Sequence, residues 1–325
     1  MSVNDIIPNF SDAQILDIIK RYFGLVGTVK PLVSYEDQNA LITTDDDKFV
    51  LKISNMKWPL TFIQTQIDVL KHLASAAPHL AFPSTVATLD GSELFEVDGF
   101  IVRMQTYLEA DIFTDVPKSE ALYADTGRFL GQMSHALTSF HPQHHEGSDP
   151  LWKLDNVMSC KPYIKYVQDE EVRDRMARIF AVYEEKVLPK IPHLRKAIIH
   201  GDANEQNFLV SPEQPDRICG LIDFGELQLG SQINDLAIML AYCLMGESNI
   251  AMAANAIIEA YDREFKILDE EREILFHLMA MRVVVSVSMS AYNSSLQPDN
   301  EYLLVTAKPG KDLLERLEQQ NFIDI

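Results

Sequence analysis

The sequence predicts an α+β protein in two lobes, a β-rich N-terminal lobe over residues 1–108 and a helical C-terminal lobe over residues 109–325. Three observations predict it. A chain of 325 residues exceeds what one hydrophobic core usually fills. Up to Leu108, short β-type runs separated by turn residues dominate. Beyond Leu108, apolar residues recur at helical spacing.

The elements follow in order. Ser11 to Phe23 reads as a helix, because Ile15, Ile18, Ile19 and Tyr22 keep helical spacing and Gly24 stops it. Thr28 to Ser34, Asn39 to Thr44 and Phe49 to Ser54 read as a hairpin and a following strand, with Asp45-Asp46-Asp47 as a turn. Leu60 to Ala76 carries Phe62, Ile63, Ile67, Leu70 and Leu73 on one helical face. Strands are expected at Val86 to Leu89, Leu94 to Val97 and Phe100 to Leu108. Helices are expected from Ser119 to Phe140, from Glu170 to Val187 and from Gln232 onward. Ile198 to Gly230 breaks this pattern with short apolar runs, glycines and clustered polar residues. His141 to Pro150 is the most loop-like stretch.

Composition narrows the class. With 47% hydrophobic and 23% charged residues the chain is globular, not disordered. A formal net charge of -20 repels phosphate backbones and argues against sequence-independent nucleic-acid binding. The three cysteines, Cys160, Cys219 and Cys243, are widely spaced and form no CxxC, which fits free thiols in a reducing compartment. The N-terminus shows no basic segment followed by an apolar stretch, and the longest apolar run, Leu236 to Met245, is too short to span a bilayer. The expectation is a cytoplasmic protein with neither membrane nor nucleic acid as partner.

The strongest motif is Ile198 to Val210, IIHGDANEQNFLV. A phosphoryl-transfer loop needs an Asp that meets the acceptor hydroxyl and, five positions on, an Asn that holds Mg²⁺; Asp202 and Asn207 have that spacing. A second motif, Ile218 to Gly230, is an apolar strand ending in Asp223-Phe224-Gly225, which suits a second metal ligand. The short connection, with Pro212 and Pro215, suits a hairpin that brings Asn207 beside Asp223. Upstream, Lys52 sits mid-strand in Phe49-Val-Leu-Lys-Ile-Ser54, either on a solvent face or reaching phosphates in a cleft; the downstream motifs favour the phosphates. The hairpin turn Ser34 to Asn39 would lie over those phosphates but lacks a glycine-rich fingerprint.

HGDxxxxN, IDFG and Asp235-Leu236-Ala237 together resemble the aminoglycoside phosphotransferase and choline kinase superfamily. Within it, SYEDQN, VLKISN, VRMQTYL, LWKLDNV and EYLLVTAKPG make the chain most similar to the hydroxylysine kinase branch. The resemblance implies a protein-kinase-like bilobal fold with an N-terminal nucleotide-binding lobe and a C-terminal lobe carrying catalytic loop and acceptor site. It implies Asp202 as catalytic base, Asn207 and Asp223 on Mg²⁺, Lys52 on the phosphates, and Thr106, Tyr107 and Leu108 as a hinge whose backbone meets the purine. His200 and Asp235 would give structural support. The donor would be GTP or ATP and the acceptor an amino acid, 5-hydroxy-L-lysine first. Other small amines or alcohols (choline, ethanolamine, homoserine, an aminoglycoside) and a silent nucleotide-binding module are the alternatives. All four motif residues are present, which argues against the silent module.

Some positions depart from the pattern. The helix after Lys52 offers Gln66, not Glu, as a partner for it. Glu226 follows Phe224-Gly225 where Asp is common. Around the acceptor, Glu205 and Glu226 could meet ammonium groups, or be solvated loop carboxylates. Trp152 could line the pocket or pack in the core. Arg282, inside an apolar helix, could bind a substrate carboxylate through its planar fork or pair with a protein carboxylate. The histidines His141, His144 and His145 read as a loop cluster, not a metal site.

Overall fold

The computed structural model describes residues 6–34, 37–143, 150–297 and 307–323. The chain divides into two compact units, Met1–Glu109 and Ala110–Ile325.

In the first unit, helix α1 (Asp12–Ile18) starts at Ser11, whose side chain accepts from Gln14 N while Gln14 reaches back to the Ser11 N–H. A π-type turn, Ile19–Phe23, continues it, and Gly24 ends it at φ 68°. Strands β1 (Thr28–Leu32), β2 (Gln38–Thr43), β3 (Lys48–Ile53), β4 (Thr85–Val86), β5 (Phe95–Val97) and β6 (Phe100–Thr106) build an antiparallel sheet ordered β1-β2-β3-β6-β4, with β5 also on β6. One sheet face carries Ala40, Ile42, Leu51, Ile53, Val102 and Met104, packed in one cluster with Phe10, Ile15, Ile18, Ile19 and Phe23. The side chains alternate along each strand, so Asn39, Lys52 and Arg103 share the opposite face. Helix α2 (Leu60–Ala76) buries Phe62, Ile63, Ile67, Leu70 and Leu73, the face its spacing predicts. The strand expected at Val86 to Leu89 is shorter: Thr88 N donates to Ser92 O and its hydroxyl accepts from Ser92 N, a turn that takes the chain out of the sheet after Val86.

In the second unit, α3 (Glu120–Leu137) and α4 (Glu170–Val182) fall within the expected helices; after a π-type turn, Tyr183–Val187, the chain leads into four short strands. These follow the tiny β7 (Asp111–Ile112) and are β8 (Lys196–Ile199), β9 (Phe208–Val210), β10 (Ile218–Leu221) and β11 (Gln228–Ser231). They pair as β10-β9-β7 and β11-β8, all antiparallel. Helices α5 (Ile233–Cys243), α6 (Ile250–Glu264), α7 (Asp269–Leu296) and α8 (Ala307–Gln319) complete the unit. Every residue of α5 is buried, the polar Asn234 and Asp235 as well as the apolar run that begins at Leu236. By length and composition α7 could cross a membrane, but 83% of its apolar window is buried inside the fold, so it is a core helix. Helix α3 approaches α6 so closely that a Cβ on Gly127 would stand 2.1 Å from the Ile257 carbonyl oxygen. Of the features singled out in the sequence, the tip of the Ser34–Asn39 turn at 35–36, His144, His145 and most of the EYLLVTAKPG segment lie outside the described residues.

Candidate active site

The two motifs of the second unit meet through β-structure. β9 and β10 form the expected hairpin, with Phe208 opposite Leu221. One step beyond that register, Ile222 N donates to Asn207 O at 3.0 Å, so the backbone places Asn207 beside the strand end that carries Asp223. Asp223 takes a left-handed backbone conformation, φ 62° and ψ 73°, costly for a residue with a Cβ and typical of functional sites. The β8/β11 ribbon leads into the loop of Asp202. His200 is fully buried, accepts from Asp202 N at Nδ1 (3.3 Å), and bonds Ile222 O through Nε2 at 3.1 Å. One imidazole thus ties the loop of Asp202 to the strand of Asp223.

Asp235, near the start of α5, braces the same loop. Its carboxylate accepts from His200 N (2.8 Å) and Gly201 N (2.9 Å). Burial pushes its carboxyl upward, while the two N–H donors and His200 hold it down. Gly201 sits at φ +78°, and a Cβ there would meet Glu226 O at 2.2 Å.

The Asp202 carboxylate is held from two sides. Oδ2 accepts from Asn204 Nδ2 (2.9 Å) and Asn207 Nδ2 (3.2 Å). Oδ1 accepts from Arg282 Nη2 at 2.9 Å. Of the two roles set out for Arg282, the structure displays the ion pair with a protein carboxylate, and that carboxylate is Asp202. Arg282 is only 2% exposed. Trp152, half-buried, gives Arg282 both its carbonyl (3.2 Å from Nη1) and its ring face (5.0 Å). Tyr242, whose hydroxyl pKa burial pushes up, presents a second ring at 5.4 Å. Glu205 lies half-buried on the same loop, with Oε2 enclosed and without a hydrogen-bond partner among the described residues. Burial pushes its carboxyl up to about 7; its own backbone hydrogen bond opposes this and the Asp202 charge adds to it. Glu226 is half-buried, and its charge acts on Arg282.

The donor set suits a hard cation. Because Asn207 spends its amide nitrogen on Asp202, its side-chain oxygen is left as an acceptor, and Asp223 adds a carboxylate; Mg²⁺ takes such oxygen ligands. Among the described residues no group of three or more His, Cys, Asp or Glu is placed to hold a metal.

The remaining predicted residues belong to the first unit. Lys52 is buried in β3, directly opposite Arg103 of β6. Gln66 of α2 accepts from Arg103 Nη2 (2.5 Å), and Ser54 Oγ accepts from Nη1 at 3.2 Å. Sequence reasoning missed Arg103; a lone Arg inside the apolar strand FIVRMQT was the available signal. Two of the three residues expected at the hinge are already engaged: Thr106 N donates to Ser84 O (2.9 Å) and Tyr107 N to Lys48 O (3.1 Å). Among the described residues, Leu108 N–H alone of the three donates to no backbone carbonyl.

A protein-kinase-like α+β fold with this loop pair defines a phosphotransferase. A profile of the phosphotransferase enzyme family matches residues 28–274. The chain is 31% identical to the hydroxylysine kinase of Mus musculus over 343 residues, covering 95% of this chain and 90% of that relative. It therefore belongs to the phosphotransferase enzyme family, in the branch of the hydroxylysine kinases, and is a small-molecule kinase. Among solved structures, an amicoumacin kinase in complex with AMP-PNP and Ca²⁺ matches with TM-score 0.70 at 13% identity, covering 94% of each chain. The GDP complex of an aminoglycoside 2'-phosphotransferase matches with TM-score 0.67 at 15% identity, over 96% of this chain and 100% of that one. At such identities these two likenesses establish the fold alone.

Proposed function

We propose that this kinase moves the γ-phosphoryl group of GTP to the side-chain hydroxyl of 5-hydroxy-L-lysine, with Mg²⁺, in the cytoplasm. The observation that carries the reading is the Asp202 carboxylate, oriented by donors on both oxygens and 24% exposed at its side chain. Asp202 accepts the hydroxyl proton as the acceptor oxygen bonds to the γ-phosphorus; the bond from that phosphorus to the β-bridging oxygen breaks and the nucleoside diphosphate leaves. Asn207 and Asp223 would hold Mg²⁺, which supplies positive charge against the phosphates. Lys52 would meet the α/β-phosphates, and Leu108 N–H is the hinge donor left for a purine.

For the acceptor, Glu205 is the candidate partner of an ammonium group. A cation beside its enclosed oxygen would hold that carboxyl ionised against the burial that pushes it up. Glu226 and Trp152 would complete the pocket. The similarity to a hydroxylysine kinase supports the amino-acid acceptor, and the buried free thiols Cys160 and Cys243 fit a reducing compartment. The test is nucleoside-diphosphate release with GTP and ATP in parallel against 5-hydroxylysine, choline, ethanolamine and homoserine. Preferred turnover of 5-hydroxylysine with GTP is expected; faster turnover of choline or ethanolamine would refute the acceptor, and a preference for ATP the donor.

A further inference from the structure

Helix α7 carries a guanidinium within its apolar stretch. Met279, Met281, Val283, Val284 and Val285 are 0% exposed around Arg282, so an apolar side chain would suit the packing. A buried cation at this place needs compensation. It comes from Asp202 Oδ1, the Trp152 carbonyl and the two ring faces of Trp152 and Tyr242. The rings steady the cation without adding a second carboxylate, so among its hydrogen-bond partners the formal countercharge is that of Asp202.

Asp202 gains a fixed direction in return. Asn204 and Asn207 occupy Oδ2, and Arg282 places one donor on Oδ1. A carboxylate oxygen has two lone-pair directions, so Oδ1 keeps one for a further donor. The Arg282 side chain is 3% exposed and that of Asp202 is 24% exposed, so the carboxylate stays accessible while its anchor does not.

We propose that Arg282 is a positioning residue: it clamps the Asp202 carboxylate in the rotamer that offers Oδ1 to the acceptor hydroxyl, and it acts through Asp202 without touching the acceptor. This rests on the reading of Asp202 as the base. Positioning of a reacting group is worth large factors in rate, because small displacements remove the productive geometry.

The experiment is a double-mutant cycle with Arg282→Gln, Asp202→Asn and the double variant, read as kcat and KM for 5-hydroxylysine and as Mg-nucleotide affinity. Arg282→Gln should lower kcat about 10- to 100-fold, with both KM and nucleotide affinity within about 3-fold. In the Asp202→Asn background the same change should alter kcat less than about 3-fold, since its route of action is gone. Equal losses in both backgrounds would overturn the proposal alone, as would a raised KM with kcat intact. Full turnover by Asp202→Asn would overturn the base assignment and the proposal with it. Should Arg282→Gln fail to fold by thermal melting, Arg282→Lys keeps a cation in the site and carries the same cycle.

Discussion

Lys52 and Arg103 face each other across the β3–β6 ladder, both buried, and Gln66 accepts from Arg103. Gln66 is thereby a partner of Arg103. Gln66→Leu removes an acceptor from a buried guanidinium and should cost about 2 kcal/mol of stability, the scale for hydrogen bonds to charged groups. Lys52→Met should weaken nucleotide binding at least about tenfold. Chemical denaturation and nucleotide titration of both variants check this; a larger binding loss for Gln66→Leu than for Lys52→Met would contradict it.

Gly201 has no room for a side chain. Gly201→Ala would drive a methyl group to 2.2 Å from Glu226 O at a backbone angle that L-residues avoid. The loop that carries Asp202 must then move. Expected are a stability loss of about 2–4 kcal/mol and a fall in kcat of at least about 100-fold, read by melting and steady-state kinetics.

Asp235 accepts the backbone N–H groups of His200 and Gly201, at the start of the Asp202 loop. Asp235→Asn turns one of its oxygens into an NH₂ group facing an N–H. The expected cost is about 3 kcal/mol in urea unfolding, with kcat lowered and Mg-nucleotide affinity changed little.

Asn207 serves Asp202 with its amide nitrogen. Asn207→Asp would give a metal a better ligand yet set one carboxylate against another. Turnover should fall about 100-fold, and added Mg²⁺ should not restore it. Full activity at high Mg²⁺ would show that the Asn207–Asp202 bond is dispensable.

The thiols should be slow to react in the folded state. Burial pushes Cys160 up to about 11 and also raises Cys243 and Cys219. At pH 8 the Cys160 thiolate is about one part in a thousand. Alkylation followed by mass spectrometry should modify Cys219, which is partly exposed, before Cys160 or Cys243.

Local physics made much of this protein legible from its sequence. Ser11 and Gly24 bound the first helical segment because capping and left-handed backbone are properties of single residues. The apolar spacing of Leu60–Ala76 names its buried face, and the five-residue separation of Asp202 and Asn207 is short enough for one loop to set their geometry. Tertiary structure decided the rest. Arg282 reaches Asp202 across 80 residues and Arg103 reaches Gln66 across 37. Strand register set Lys52 against Arg103 and spent the N–H groups of Thr106 and Tyr107 on Ser84 and Lys48. Chemistry such as an apolar helix with one Arg, or a hinge with three N–H groups, reads from the sequence as a need for partners. Which partner answers it depends on how separate elements pack, because burial and close approach exist only once the chain has folded.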